Sequence, residues 1–570
     1  MPDLVIGSRR SAPPKPWRAS AIAIAMVVVA LIVAWFIYRR SVAYDVPPGE
    51  VRGDLAWRHD EAGAPAQLTF GASYLEWQGG IAVLHLTGDA HAIGAAHGRL
   101  LAPLLPAVVK AHAPSIEETV SDDGLLGGTT HDMRLAWKWR FLDDGVAAAD
   151  RQMVAGLVRG AAASGVPISF EDALRDQAVL DVGAPSPRSA EGDAQRLAHA
   201  LVAIAQQQAT PARVWVARTF SLAGLDDGGE AERPVVSIVK PEGRIAYAAV
   251  GWPGELGVVT GVNADGIVVA VDPARTADVR PTRSARPVAM LARAVLEQAD
   301  TLDAAIKLVE GTPTLGAAVF VLVDGATGKW VIVERTPGKA IVERAPHAPA
   351  VGDVLTTNAL AQDPDNDRAR RLLATGARVD RAARLVRAPL PDVAAVAAVV
   401  RDTHGIDDAP RPPGYRGAID DGRAVHAVII DPATLEMWVA DPGAGGRMRG
   451  FDLRHELRGD GDRATPPADI APDTSATGAD PDRVAALAAA RAALRDARDA
   501  LGRGDRDHAA EAVFRARALA PLLPEAIELD AVVAQARGDD ARAKQMYQQW
   551  LDGGADDPAG EERAKAALAR

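Results

Sequence analysis

The first organised feature along the chain is an unbroken apolar run, Ala19–Tyr38 (ASAIAIAMVVVALIVAWFIY), twenty residues without a charge. As a helix it is about 30 Å long, about one hydrocarbon thickness. No polar face interrupts it, as one would in an amphipathic helix on a soluble core, so the pattern predicts a transmembrane helix. Trp17 stands at one end and Trp35 and Tyr38 at the other, with Arg18 and Arg39–Arg40 closing both flanks, as interfacial rings and charges do. The run is longer than a signal-peptide core of about 7–15 residues and no small-x-small cleavage site follows it; an uncleaved anchor is expected. Basic residues lie on both sides: Arg9, Arg10, Lys15 and Arg18 before the helix, Arg39, Arg40, Arg52 and Arg58 after it. The expected topology is a cytoplasmic N-terminus and an extracytoplasmic body.

Beyond a polar stalk over residues 39–79, Gly80–His112 reads as a strand, a glycine turn and an amphipathic helix, with more helix through Arg175. Gly183–Ala194 has loop composition. From Val214 to Asp272 short β-branched runs alternate with Gly and Pro, predicting strands at VVSIV, IAYAAVGW, LGVVTGV and GIVVAVD. Pro287–Ala299 places Val288, Leu291, Ala292, Val295 and Leu296 on one helical face, and Leu302–Glu310 continues helically. AAVFVLVD and WVIVER then return to strand, joined at Gly325–Lys329 by a hairpin turn, and VHAVIID and EMWVAD form a last pair. Sheets interrupted by paired helices predict an α/β protein built as an αββα sandwich, spanning residues 80–458.

Gly459–Asp482 lacks apolar periodicity and reads as a flexible linker. Past it, over residues 483–570, Gly504–Asp505 and Gly538–Asp539 stand 34 residues apart, each flanked by alanine-rich helical segments, with Ala509 and Ala543 in the same phase. That is the period of a tetratricopeptide helix hairpin. A helical bundle on the body is the plainer alternative.

At 570 residues the chain is long enough for two to four domains of roughly 100–200 residues. Its formal charge of -12 is dispersed among both signs with no basic stripe, which argues against nucleic acid as a partner. With no cysteine, disulfides, thiolate metal sites and thiol catalysis are excluded. No HExxH, GxSxG or complete P-loop is present. Asp363, Asp365 and Asp367 mimic early calcium-loop ligands, but Arg368 replaces the glycine and no glutamate closes the loop. His91 and His97 do not stack on one helical face, which argues against zinc. No cofactor is expected.

Five segments in order across residues 80–456 carry a family resemblance: GDAHAIGAAHGRLL, VARTF at Val216–Phe220, GWPGELGVVTGVNADGI at Gly251–Ile267, TTNAL at Thr356–Leu360 and the following DNDRARRL. Together they resemble the N-terminal-nucleophile hydrolases of the isopenicillin-N (acyl-coenzyme A:6-aminopenicillanate) acyltransferase family, related to bile-salt and linear-amide hydrolases. The resemblance implies a cysteine, freed by self-cleavage, whose thiol attacks an amide carbonyl while its own α-amine, of pKa about 8, serves as base. It also implies oxyanion donors of the asparagine-amide kind. By the resemblance, Asn263 and Asn358 take donor or positioning roles, Arg218 stands near the nucleophile and Arg368 near a substrate or scaffold carboxylate; taken alone, the same residues read as turn-capping asparagines and surface arginines.

Two departures change the expectation. Where the cysteine is expected, at Leu197–Ile204, the sequence is LAHALVAI, with no Cys, Ser or Thr, and the aspartate expected after the aromatic is Ser221. The nearest hydroxyls, Ser186, Ser189 and Thr210, fall out of register. The chain therefore reads as a membrane-anchored, catalytically degenerate relative that binds an acyl- or amide-bearing ligand or a protein. The alternatives are an active amidohydrolase or acyltransferase with a non-standard nucleophile, and an adaptor whose C-terminal repeats hold a protein partner.

Overall fold

The computed structural model describes residues 16–58, 66–117, 127–182, 199–207, 213–221, 233–274, 285–344, 354–356, 375–442, 446–459, 466–473, 480–556 and 558–570. Two compact units are formed, Met1–Asp45 with Val120–Phe141, and Val46–Thr119 with Leu142–Arg570.

In the first unit the apolar run becomes helix α1 (Pro16–Val42). Its stretch Ala23–Val42 is long and apolar enough to cross a membrane, and no part of that window is buried in the protein.

The second unit is a four-layer sandwich. One sheet holds, among the described residues, eleven strands in the order β1-β2-β3-β4-β7-β8-β9-β10-β11-β12-β13, and the other six in the order β14-β5-β6-β15-β16-β17. In the first sheet β1 is Ala56–Arg58, β2 Gln67–Phe70, β3 Ser73–Gln78, β4 Ile81–Gly88, β7 Val235–Pro241, β8 Tyr247–Gly251, β9 Thr260–Asn263, β10 Ile267–Ala274, β11 Ala317–Asp324, β12 Lys329–Arg335 and β13 Ala340–Arg344. In the second, β5 is His199–Gln206, β6 Val214–Ser221, β14 Val354–Thr356, β15 His426–Asp431, β16 Glu436–Ala440 and β17 Met448–Asp452. Every pairing between two of these strands is antiparallel except β4 with β7, in which Leu84 lies opposite Ser237.

The period-2 alternation of the strands decides what each face meets. Val202, Ile204, Val214 and Val216 of β5 and β6 join Val83, Val236, Val250, Val262 and Val268 of the facing sheet in one core. Their neighbours Leu201, Ala203, Trp215 and Ala217 turn outwards onto Ala382, Val396 and Val400, which belong to helices Thr375–Leu385 and Val393–Val400. Helices α2 (Ala90–Leu100), α8 (Val288–Gln298) and α9 (Leu302–Gly311) pack on the first sheet.

Helix α2 lies against α5 (Ala148–Ala163) at backbone distance. A Cβ at Gly94 would stand 1.9 Å from the Met153 carbonyl oxygen, one at Gly98 2.1 Å from that of Leu157, and one at Gly160 2.2 Å from that of Ala95. The glycines of GDAHAIGAAHG are thus packing residues. The segment read as one continuous helix bends by 67° after Leu100, because a 3-10 turn with Pro at its start (Ala102–Leu104) intervenes before α3 (Leu105–Glu117).

Two boundaries differ from the sequence reading. The expected stalk, residues 39–79, supplies β1, β2 and β3 as sheet edge; QLTF and SYLEWQ alternate as half-buried strands do, which polar composition masks. The expected loose linker is packed where it is described: Ile470 forms a bridge with Met448, and Trp438 Nε1 donates to the Ala468 carbonyl at 3.1 Å. Beyond it Pro481–Gly502, Arg506–Leu519, Pro524–Ala536, Asp540–Asp552 and Pro558–Leu568 pack each on the next along the chain. Gly504 and Gly538 end their helices with φ of +78° and +80°, the left-handed geometry that glycine adopts without strain. These helices are docked on the sandwich. Buried Arg416 donates to Asp556 and, at 2.8 Å, to Glu528, and Arg491 donates to the carbonyls of Asp421 and Gly422 at 2.8 Å.

Gly98→Ala is expected to lower stability by about 1–3 kcal/mol through overpacking against α5, although helix propensity alone favours alanine by about 1 kcal/mol. The urea midpoint measures this, and an unchanged or raised midpoint would refute the backbone-contact account.

Candidate functional site

Between the two sheets a polar seam interrupts an otherwise aliphatic core. Arg218, on β6, has no exposed surface and reaches across to Asp272 on β10, donating to its carboxylate at 2.7 and 3.2 Å and to the Val271 carbonyl at 2.6 Å. Inside a low-dielectric core an unpaired charge would cost several kcal/mol, so the bidentate geometry is what lets either residue stay there.

Aromatic rings extend the seam. The Arg218 guanidinium lies 5.0 Å over Phe220; Phe220 stacks on His426 of β15 at 5.4 Å and on Trp252 at 6.1 Å. His112 of α3 meets Trp252 edge-on and pairs through Nδ1 with the Asp176 carboxylate of α6 (Phe170–Asp176). His426 Nε2 lies 3.0 Å from the Thr260 hydroxyl across the sheets. Burial, reinforced by the nearby Arg218 charge, holds His426 well below the usual histidine pKa; the ring is neutral, so one partner of this hydrogen bond donates and the other accepts.

The GWPGELG segment forms the floor. Gln177 clamps it, donating to the Gly254 carbonyl at 3.0 Å and accepting from the Leu256 amide at 2.8 Å. His97 Nε2 accepts from the Gly254 amide at 3.0 Å, a role only the neutral ring can fill; burial lowers its pKa to about 4. Glu255 folds back over Gly251, where a Cβ would fall 2.0 Å from its Oε2. Burial and the neighbouring Asp176 charge raise the Glu255 carboxyl well above the usual range, which favours its protonated form. A cavity of about 20 Å³ reaches Glu255, Trp252, His97, Tyr247 and Met153, room for one water-sized group. Among the described residues, Glu255 Oε1, Trp252 Nε1, His112 Nε2 and His426 Nδ1 are buried without a hydrogen-bond partner.

The four residues singled out from the sequence fare differently. Arg218 lies in the seam. Asn263 is buried, but its amide donates to the carbonyls of Leu296 and Ala299 at 3.0 and 2.8 Å, and its oxygen accepts from the amides of Asp265 and Ile267 at 3.1 and 2.9 Å. Its hydrogen-bonding capacity is taken up by the backbone, so the structure gives it a turn-holding place. Asn358 and Arg368 lie outside the described residues, as do Ser186, Ser189 and Thr210. Within Leu197–Ile204 the described side chains Leu201, Val202, Ala203 and Ile204 are buried and apolar. The sequence reading did not single out Asp272, Glu255, Trp252, His426 or Thr260. One signal was available: Asp272 and Arg218 are lone charges at the ends of β-branched runs.

Glu255→Gln supplies a pH test. A carboxyl whose folded pKa is raised contributes stability that is complete below its unfolded value of 4.5 and is lost as pH rises through the folded value. The melting temperature of the Gln variant relative to the unaltered protein is expected to climb from pH 5 to pH 8; a difference that stays flat would mean that Glu255 is ionised in the fold.

Residues 231–440 match the family model for acyl-coenzyme A:6-aminopenicillanic acid acyl-transferase. That span contains Trp252, Glu255, Thr260, Asn263, Asp272 and His426, while Arg218 precedes it. No curated protein matches the chain. Among solved structures, the N-acylethanolamine-hydrolyzing acid amidase ortholog of Caenorhabditis elegans shares 14% identity over 41% of this chain and 93% of its own, with a TM-score of 0.30. A mutant conjugated bile acid hydrolase from Clostridium perfringens shares 12% over 47% of this chain and 96% of its own, with a TM-score of 0.29. Over its central 231–440 span, therefore, this chain is similar to the acyl-coenzyme A:6-aminopenicillanic acid acyl-transferase family.

Proposed function

We propose that this chain is a membrane-anchored, N-terminal-nucleophile-type relative of the acyltransferases and amide hydrolases that has lost covalent catalysis and works by binding. The observation that carries the reading is the composition of β5. Where the resemblance expects a thiol, the described side chains Leu201, Val202, Ala203 and Ile204 are buried and apolar, and the sequence has no cysteine. Without a nucleophile at a strand start, self-cleavage has no chemical purpose. The cavity beneath the GWPGELG floor is also small for an acyl chain. The body is read as held on the extracytoplasmic side by α1, and the C-terminal helix pairs as tetratricopeptide-like, offering a surface to a protein partner. A small acyl or amide group is the ligand class the polar atoms around Trp252 and Glu255 favour.

A second reading rests on the Thr260–His426 contact at 3.0 Å, a hydroxyl beside a neutral imidazole, the pairing that activates an alcohol nucleophile. Against it stand the complete burial of Thr260 and, among the described residues, the lack of a carboxylate on His426 Nδ1, the group that would stabilise an imidazolium.

The purified protein is expected to run as one intact chain of 59.6 kDa and to release no amine from N-acyl amino acids or fatty amides. Two fragments by intact mass, or turnover that disappears in Thr260→Val, would return the protein to the active hydrolases.

A further inference from the structure

We infer that helix α4 (Gly127–Trp139) is an interfacial helix that lies in the anionic headgroup layer of the bilayer, at the end of α1 bearing Arg39 and Arg40. The inference rests on the reading of α1 as a membrane span and adds a second, surface-lying element to it.

Three observations carry it. The first is an aromatic ladder. Trp35 stacks on Tyr38 with ring centroids 5.7 Å apart, and Tyr38 stacks on Trp137 of α4 at 6.4 Å. Trp and Tyr rings settle at headgroup depth, so a ring stacked on Tyr38 shares that depth. The second is a pair of fixed tethers: the Tyr38 hydroxyl donates to the Met133 carbonyl and the Tyr44 hydroxyl to the Trp139 carbonyl, each at 2.7 Å. The third is the outward face of α4. Met133 and Trp137, one turn apart, are 37% and 48% exposed, and the Arg140 guanidinium lies 4.1 Å over Trp137 and 4.3 Å over Phe141.

An exposed methionine and tryptophan on one helix face beside a spanning helix suit the boundary of headgroups and acyl chains. Arg39 and Arg40 end α1, Arg134 and Lys138 lie on α4 and Arg140 follows it, with Asp132 the one acidic residue in α4. That balance selects anionic lipid. The Arg140 stack leaves its charge at the level of Trp137, where a lipid phosphate can reach it.

The absence of cysteine from the chain makes the test direct, since any introduced thiol is the sole labelling site. The full-length protein carrying Met133→Cys, Trp137→Cys, Val28→Cys or Phe514→Cys is spin-labelled in vesicles of phosphatidylcholine and phosphatidylglycerol, and collisions with oxygen and with a water-soluble nickel chelate are compared. Labels at 133 and 137 are expected to show an oxygen-to-nickel ratio between that of position 28, within the span, and that of position 514, on an exposed surface of the C-terminal helices. Combining Lys138→Glu and Arg140→Glu with Met133→Cys should shift the 133 label towards the aqueous value. If position 28 reads as hydrocarbon while 133 and 137 match 514, the interfacial helix is refuted and the anchor stands. If position 28 itself reads as water, the span is refuted and this inference with it.

Discussion

The bidentate ion pair between Arg218 and Asp272 is the constraint around which the sandwich is arranged. Two opposed sheets of valine, isoleucine and alanine are held by close packing that is not directional, so a directional contact adds a further constraint on their placement. A guanidinium fork on one sheet and a carboxylate on the other supply that direction, because the pair satisfies its desolvation requirement in a single relative placement. The Arg218 charge also reaches its neighbours. It opposes protonation of His426 and partly offsets the burial that raises the Glu255 carboxyl. The seam therefore carries one strong charge pair, surrounded by groups pushed towards their neutral forms.

That arrangement bears on chemistry. A hydrolytic site needs a nucleophile, a base that can accept a proton, and donors aimed at a developing oxyanion. Here the imidazoles of His97 and His426 are held neutral, and His97 already accepts from the Gly254 amide. Asn263 holds two helix-end carbonyls and a turn. Among the described residues, buried polar atoms on Glu255 and Trp252, both lining the cavity, remain without partners, one able to accept from and the other to donate to a small polar group. Such a set favours recognition over turnover.

Much of the scaffold could be read from periodicity. The β11–β12 hairpin closing at Gly325–Lys329, the β15–β16 pair and helices α8 and α9 all follow patterns local to a few residues. The parts that escaped are those set by distant partners. Nothing near Asp272 announces Arg218, which lies on the other sheet, and Arg416 sits in a Gly- and Pro-rich loop whose composition hides its buried bonds to Glu528 and Asp556. For the same reason a polar stretch such as 466–473 reads as linker although Ile470 and Ala468 secure it to the second sheet. The glycines of α2 were visible as a motif, but their purpose, backbone contact with α5, needed the neighbouring helix.

The central claim is that Arg218 and Asp272 act as one unit at the heart of the fold, and a double-mutant cycle on stability tests it most directly. Arg218→Met and Asp272→Leu should each cost about 3–5 kcal/mol, since each leaves a buried charge alone. The double variant, which buries no charge, should lose much less than the sum, giving a coupling of about 1–3 kcal/mol or more. Losses that simply add would show that the two residues are independent and that the sheets are held in register by something else.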